Sequence, residues 1–290
     1  MIHGNAGSVE DFEFGAADVL SSHYHVVAVD RPGHGRSERP KDNGASVENQ
    51  ARLLHEVLAS LQITRPVLVG HSWGAALALS YALQYPADIA GLVLIAPAAY
   101  PDSGESRFIR VVAEAPLVGD VALLAGKTLL GKHILSVMLQ RAFYPQPVPR
   151  AYVTLATASW LGRKQLKAYL EDESRLNASL DKMSKRYPQI AAPVVIVTGD
   201  RDQIVSAKDN AYRLKAAIPN ARVITLKDTG HEIPQTDPES IYEALSLITS
   251  PTKLADASAD QVTRERVITG DGTESAKGCL MRCFAVRLIK

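Results

Sequence analysis

Runs of apolar and β-branched residues punctuate this chain, and apolar positions at helical spacing fill the intervals between them. The segments 25–30, 66–70, 91–96, 193–198 and 221–226 are near-continuous in Val, Ile, Leu and Ala. A strand that is apolar at both parities has both faces covered, so these read as parallel strands inside a layered structure. Segments 46–61, 75–85, 206–218 and 237–249 instead repeat apolar residues every three or four positions, as helices with one buried stripe do. Strand and helix in alternation predict an α/β protein with a doubly wound, mostly parallel sheet.

That rhythm stops after residue 96 and resumes at residue 193. The interval carries helical patterns and no strand, which predicts an inserted helical lid. The resulting plan is a core of 1–99 and 191–250, a lid of 100–190, and a tail of 251–290 whose Ser, Ala, Asp and Thr content reads as linker or disordered chain. Within that tail, Asp271-Gly272 is a hairpin signal and 284–289 reads as a short strand.

Composition narrows the function classes. With 290 residues, 46% of them apolar, 22% charged and a formal net charge of +1, the chain has no excess of positive charge for nucleic acid or an anionic membrane surface. Asp120 and Lys127 interrupt the most apolar stretch, 116–130, well short of the roughly 20 residues of a membrane span. The opening Met1-Ile2-His3-Gly4 has neither the basic nor the apolar region of a signal peptide, so the expected location is cytoplasmic. Cys279 and Cys283, the two cysteines, lack the further ligands of a closed zinc site and read as plain thiols. No metal or cofactor is expected, and oligomeric state leaves no mark on the sequence.

Candidate chemistry centres on Gly70-His71-Ser72-Trp73-Gly74, placed between an apolar strand and an Ala-rich helix. A strand-to-helix turn that sharp needs small flanking residues, and it lifts the serine hydroxyl above the sheet beside a helix N-terminus. A serine hydroxyl is a weak nucleophile until a base takes its proton. Two later strand ends supply partners: Gly199-Asp200-Arg201-Asp202, and Asp228-Thr229-Gly230-His231-Glu232. The chain order Ser, Asp, His follows.

With His3-Gly4-Asn5-Ala6-Gly7-Ser8 and Asp30-Arg31-Pro32-Gly33-His34-Gly35-Arg36-Ser37 added to these motifs, the chain resembles the α/β-hydrolase superfamily, in its lid-bearing esterase and lipase-like branch, over residues 1–249. The resemblance implies Ser72 as nucleophile, His231 as base and Asp202, in preference to Asp200 or Asp102, as the acid that orients it. It also implies that the backbone N–H groups of Asn5 and Trp73 form an oxyanion hole. His3, His34 and His71 occupy turn-shaping positions, while His23, His25, His55 and His133 lack partners that suggest ligation. Asn5 with Trp73 also resembles the halide-holding pair of haloalkane dehalogenases, but those enzymes use an aspartate at position 72, and a serine there points to acyl transfer.

The expected reaction is hydrolysis of a small apolar carboxylic ester through an acyl-enzyme. The lid residues Leu117, Val118, Leu123, Leu124, Leu129, Leu130, Ile134, Leu135, Met138 and Leu139 either form an acyl pocket or pack the lid on the core. Two alternatives stand beside this reading: hydrolysis of a diketone carbon–carbon bond by the same triad, and a truncated or inactive binding member of the fold. The second arises because relatives carry two strands and then a third, central strand before His-Gly, where this chain has Met1 and Ile2. A gap with exposed edges is expected there, unless the tail strand fills it in a permuted arrangement.

Overall fold

The computed structural model describes residues 1–40, 43–102, 129–250 and 283–289. The hairpin signal at Asp271-Gly272, Cys279, and the apolar positions Leu117, Val118, Leu123 and Leu124 lie outside the described residues. Two short helices, α1 (Glu10–Glu13) and α2 (Ala16–Ser21), lead into strand β1 (Val26–Asp30). Helix α3 (Val47–Ser60), β2 (Val67–His71), α4 (Trp73–Gln84) and β3 (Gly91–Ile95) follow. Among the described residues, three helices, α5 (Leu129–Phe143), α6 (Arg150–Ser159) and α7 (Arg163–Ser184), lie between β3 and β4 (Val194–Gly199). After β4 come α8 (Arg213–Ala217), β5 (Ala221–Leu226), α9 (Ile233–Thr236), α10 (Pro238–Thr249) and β6 (Ala285–Ile289). No helix among the described residues is long and apolar enough to cross a membrane.

Strands β2, β3, β4 and β5 pair in that order, all parallel, with Leu92 opposite Leu68 and Val194. The two parities of these strands feed separate cores. Leu68, Leu92, Leu94, Val194 and Ile196 pack with α3, α4 and α7, whereas Val69, Val93, Ile95, Val195 and Val197 pack with α2 and α10. Burial on both faces is why the strands read as unbroken apolar runs. Helix α3 starts where Ser46 accepts a hydrogen bond from the Asn49 N–H at 3.2 Å, and α10 where Asp237 does the same for Ser240 at 3.2 Å, each closing an otherwise unpaired N–H of the first turn.

Two helix boundaries differ from expectation, and the gap expected ahead of His3 takes a particular form. The helix expected over 75–85 begins at Trp73, because the turn at Ser72 delivers the chain directly into it. The helix expected over 206–218 opens as a wide π-turn, Lys208–Tyr212, before α8; there the Asn210 side chain accepts hydrogen bonds from the N–H groups of Ala99 (2.9 Å) and Tyr100 (3.0 Å). Strand β1 does not pair directly with β2. Ile2 bridges Val29 on one side and Gly70 on the other, both parallel, with the Ile2 N–H donating to Val69 (2.8 Å) and the His71 N–H to Ile2 (3.0 Å). Below Ile2 the strands part around a cavity of about 260 Å³ lined by Val27, Leu58 and Leu68.

The tail strand does join the sheet, but not in that gap. β6 runs antiparallel along the outer edge of β1, Ala28 opposite Arg287, and Phe284 before it is fully buried in the α3 and α4 core. Its place follows from hydrogen bonding, since Met1 already occupies the inner groups of Val27 and Val29.

A buried ion pair ties the inserted helices to this core. Asp172, midway along α7, accepts from Arg31 (2.5 Å), His34 (2.9 Å), Arg39 (2.7 Å) and Gln50 (3.2 Å), and neither Arg31 nor Asp172 has any exposed side-chain surface. Burial pushes the Asp172 carboxyl up, but Arg31, His34 and Arg39 more than offset it, and it titrates at about 2. Removing one partner of such a pair leaves the other charged and buried. Asp172→Asn is therefore expected to lower stability by about 3 kcal/mol, read from urea unfolding midpoints at neutral pH. A carboxyl whose folded pKa is depressed stabilises fully above its unfolded value of about 4 and loses that contribution as pH falls towards 2, so the gap between variant and wild type should close over that window. A loss below 0.5 kcal/mol, on the order of an exposed pair, would show that the network carries little of the fold.

Candidate active site

Strand β2 ends at His71, and Ser72 turns the chain with φ 53° and ψ −115°, a conformation unfavourable for a residue with a Cβ. Space forces the glycines on either side. A Cβ at Gly70 would come within 2.5 Å of the Gly74 oxygen, and one at Gly74 within 2.3 Å of the Ile2 oxygen. The Ser72 N–H donates to Ile95 at 2.9 Å and its carbonyl accepts from Ala75 and Ala98, so the strained turn is held from three sides.

Both later loops converge on the same place. His231 Nδ1 meets Asp202 Oδ2 at 2.8 Å with the two side chains 5% and 1% exposed. A second Asp202 oxygen accepts from the N–H groups of Ile204 (2.7 Å) and Val205 (2.8 Å). Asp200 instead accepts from Thr229 N–H at 3.4 Å, away from the imidazole, and Asp102 sits exposed at the cavity rim with Asn177 bonding its backbone. Asn5, Ser72, Trp73, Asp202 and His231 all line one cavity of about 720 Å³. Ser72 Oγ makes no hydrogen bond among the described residues; such contacts commonly tighten only when a substrate is bound.

The opening loop lies against the turn at Ser72. The backbone N–H groups of Asn5 and Trp73 have no acceptor among the described residues, and that of Trp73 is the first of a twelve-residue helix, where the unpaired donors and the dipole favour negative charge. The Asn5 side chain is not free for a ligand, since it donates to Glu173 (2.6 Å) and to the Tyr169 carbonyl (3.3 Å) and accepts from Ala6 and Arg31. Arg31 also donates to the His3 and Gly4 carbonyls and lies 4.0 Å from the Trp73 ring centroid.

Electrostatics separate the histidines. Burial drives His3, His34 and His71 down, His34 to about 4 and His71 to about 3, with Arg31 or His231 adding to the effect. They are neutral hydrogen-bonding spacers. His231 goes the other way: burial lowers it, but the Asp202 carboxylate more than compensates and Glu232 adds to the rise. Asp202 feels burial upward and is brought below the usual carboxylate range by His231 and by the two N–H groups it accepts. No group of three or more His, Cys, Asp or Glu suited to a metal occurs among the described residues. His55 pairs with exposed Asp88 at 3.0 Å and stacks on Tyr85.

Several residues at this site were not singled out by sequence reasoning: Asp172 and Glu173 on α7, Asp11, Tyr152 and Glu232. Glu232 stands beside His231 in a motif already noted, and that adjacency was the only signal. Asp172 and Glu173 sit in an acidic run of a polar helix that gives no hint of burial.

A strained serine between strand and helix, a carboxylate-held imidazole, and a parallel sheet whose strand ends carry both define a hydrolase-type α/β protein. A sequence model described as the alpha/beta hydrolase fold matches residues 1–238, and the chain belongs to that family. It is similar to Lipase 1 of Psychrobacter immobilis, 27% identical over 232 residues, covering 80% of this chain and 70% of that one. It is also similar to monoacylglycerol lipase ABHD6 of Bos taurus, 27% identical over 255 residues, covering 84% and 73%. Among solved structures, a thermophilic esterase from Thermogutta terrifontis aligns with TM-score 0.69 at 21% identity, covering 84% of this chain and 86% of that one. An α/β hydrolase fold protein from Burkholderia ambifaria aligns with TM-score 0.71 at 24%, covering 84% and 87%. These two likenesses concern the fold alone.

The geometry sets an expectation for His231. In nitrogen-detected NMR its ring should titrate above the ordinary imidazole value, move down in Asp202→Asn, and move down by less in Glu232→Gln. An unshifted ring in Asp202→Asn would mean that the 2.8 Å contact does not carry the charge coupling.

Proposed function

We propose that this protein is a serine hydrolase that cleaves carboxylic esters through an acyl-enzyme. The observation that carries the reading is the 2.8 Å His231–Asp202 contact opening on the same cavity as the strained Ser72. In this scheme Ser72 Oγ attacks the ester carbonyl while His231 Nε2 takes its proton, and Asp202 holds the ring in the tautomer that leaves Nε2 free. The tetrahedral oxyanion forms against the N–H groups of Asn5 and Trp73. His231 then protonates the leaving alcohol, and water repeats the sequence on the acyl-enzyme to release the acid. Histidine must be neutral to begin, so the raised His231 value places the acid limb of the rate above the ordinary imidazole range.

The relatives named as lipases support an ester substrate, and the cavity supports an apolar acyl group: Ala98, Met138, Trp160, Leu176, Leu180 and Val205 line it. Helices α5, α6 and α7 contribute Met138, Trp160 and the two leucines or flank them, which fits a lid. Of the apolar positions that read as either acyl pocket or lid packing, Leu135 and Leu139 pack with Phe143 and Tyr152, and Ile134 is half exposed. Those two leucines hold the inserted helices together.

An alkyl fluorophosphonate tests the reading. One equivalent should add to the chain by intact mass, none to Ser72→Ala, and Asp202→Asn should label slower by about three orders of magnitude. A folded wild-type chain that does not label would reject acyl transfer at Ser72 and favour a binding role for the cavity.

A further inference from the structure

The cavity has an acidic wall that the hydrolytic steps leave idle. Glu232 follows the base directly, is 6% exposed and lines the cavity, and its carboxylate has no hydrogen-bond or ion-pair partner among the described residues. Asp11 from α1 and Tyr152 from α6 line the same cavity. They are satisfied: the Tyr152 hydroxyl donates to one Asp11 oxygen at 3.4 Å and the Ser8 N–H to the other at 3.1 Å. Glu232 is thus the group in this corner left without a partner, although nine-tenths of its surface is withdrawn from bulk water.

A buried polar side chain without a partner is costly and uncommon, and on a cavity wall it marks a place where a ligand completes the hydrogen bonding. Charge narrows the ligand. An anion would meet Glu232, Asp11 and Asp202 together. An ammonium would suit the carboxylates but would sit beside His231, which becomes a cation in each proton transfer. A neutral hydroxyl avoids both conflicts, because it donates to a carboxylate and accepts from a carboxylic acid. Burial raises Glu232 to about 7, so both forms are present near neutral pH.

We propose that Glu232, backed by Asp11 and Tyr152, forms a polar subsite beside the triad that binds a free hydroxyl of the substrate, making hydroxylated esters the preferred class. The subsite rests on the reading of the cavity as an acyl-transfer site, but its test requires no turnover. Trp73 and Trp160, the two tryptophans of the chain, both line the cavity, so intrinsic fluorescence reports occupancy.

Uncleavable ethers provide the probes: 3-butoxypropane-1,2-diol, butyl propyl ether and 3-butoxypropan-1-amine, titrated into wild type, Glu232→Gln and Glu232→Leu. Wild type should bind the diol about tenfold tighter than the plain ether. The preference should fall to about unity in Glu232→Leu and survive in part in Glu232→Gln, whose amide still donates and accepts. Equal binding of diol and ether by wild type, an undiminished preference in Glu232→Leu, or an amine bound more tightly than the diol would each overturn the proposal. If Glu232→Leu does not fold, the wild-type series decides alone. Fluorophosphonate labelling is scored separately, so loss of the hydroxyl preference and loss of Ser72 reactivity are distinguishable results.

Discussion

The Arg31 guanidinium is the point on which the active-site end of this molecule turns. A cation with no exposed surface has to be met from every side, and here the neighbours that meet it come from separate parts of the chain: the His3 and Gly4 carbonyls, the Asn5 side chain, the Trp73 ring, and Asp172 of α7. Three of those neighbours, His3, Gly4 and Asn5, belong to the proposed oxyanion loop. One charge therefore fixes the position of the opening loop against the turn at Ser72 and, through Asp172, draws the inserted helices onto both. The desolvation cost of the pair is large enough that its worth lies more in geometry than in net stability.

Strain at Ser72 is sustained by the same arrangement. A residue with a Cβ at φ 53° is unfavourable by on the order of 1–3 kcal/mol, and it persists because β2, β3 and α4 are buried on all sides around it. The approach of Gly74 to the Ile2 carbonyl means that the residue bridging β1 and β2 also presses on the first turn of α4. Sheet closure and the turn that presents Ser72 are one constraint, met by glycine because nothing larger fits.

Much of this was legible in the sequence because the physics was local. Apolar runs at both parities marked β2, β3 and β4, and a small-residue turn before an Ala-rich helix marked Ser72. Long-range electrostatics was not legible. Nothing about Asp172 in Glu171-Asp172-Glu173 distinguishes a buried counter-ion from a solvated helix face until Arg31, His34 and Arg39 are brought to it. The place of the tail strand was hidden for a related reason: periodicity announced a strand over 284–289, whereas the choice between gap and outer edge depended on which backbone groups of β1 Met1 had already taken.

The two acids nearest His231 show why residue type alone does not assign a role. Asp202 and Glu232 are both carboxylates, both nearly buried and both coupled to the same imidazole. Asp202 accepts two backbone N–H groups and the ring Nδ1, so its charge is matched and it stays ionised well below neutrality. Glu232 has none of these donors, so burial dominates and it carries a proton over part of the physiological range. A permanently ionised acid can orient an imidazole through every step of a reaction, whereas one that exchanges its proton near neutrality is suited to meeting a polar ligand. The charge of His231 and the hydrogen bond from its Nδ1 make the larger part of that difference, and the backbone N–H groups of Ile204 and Val205, which no sequence pattern advertises, add to it.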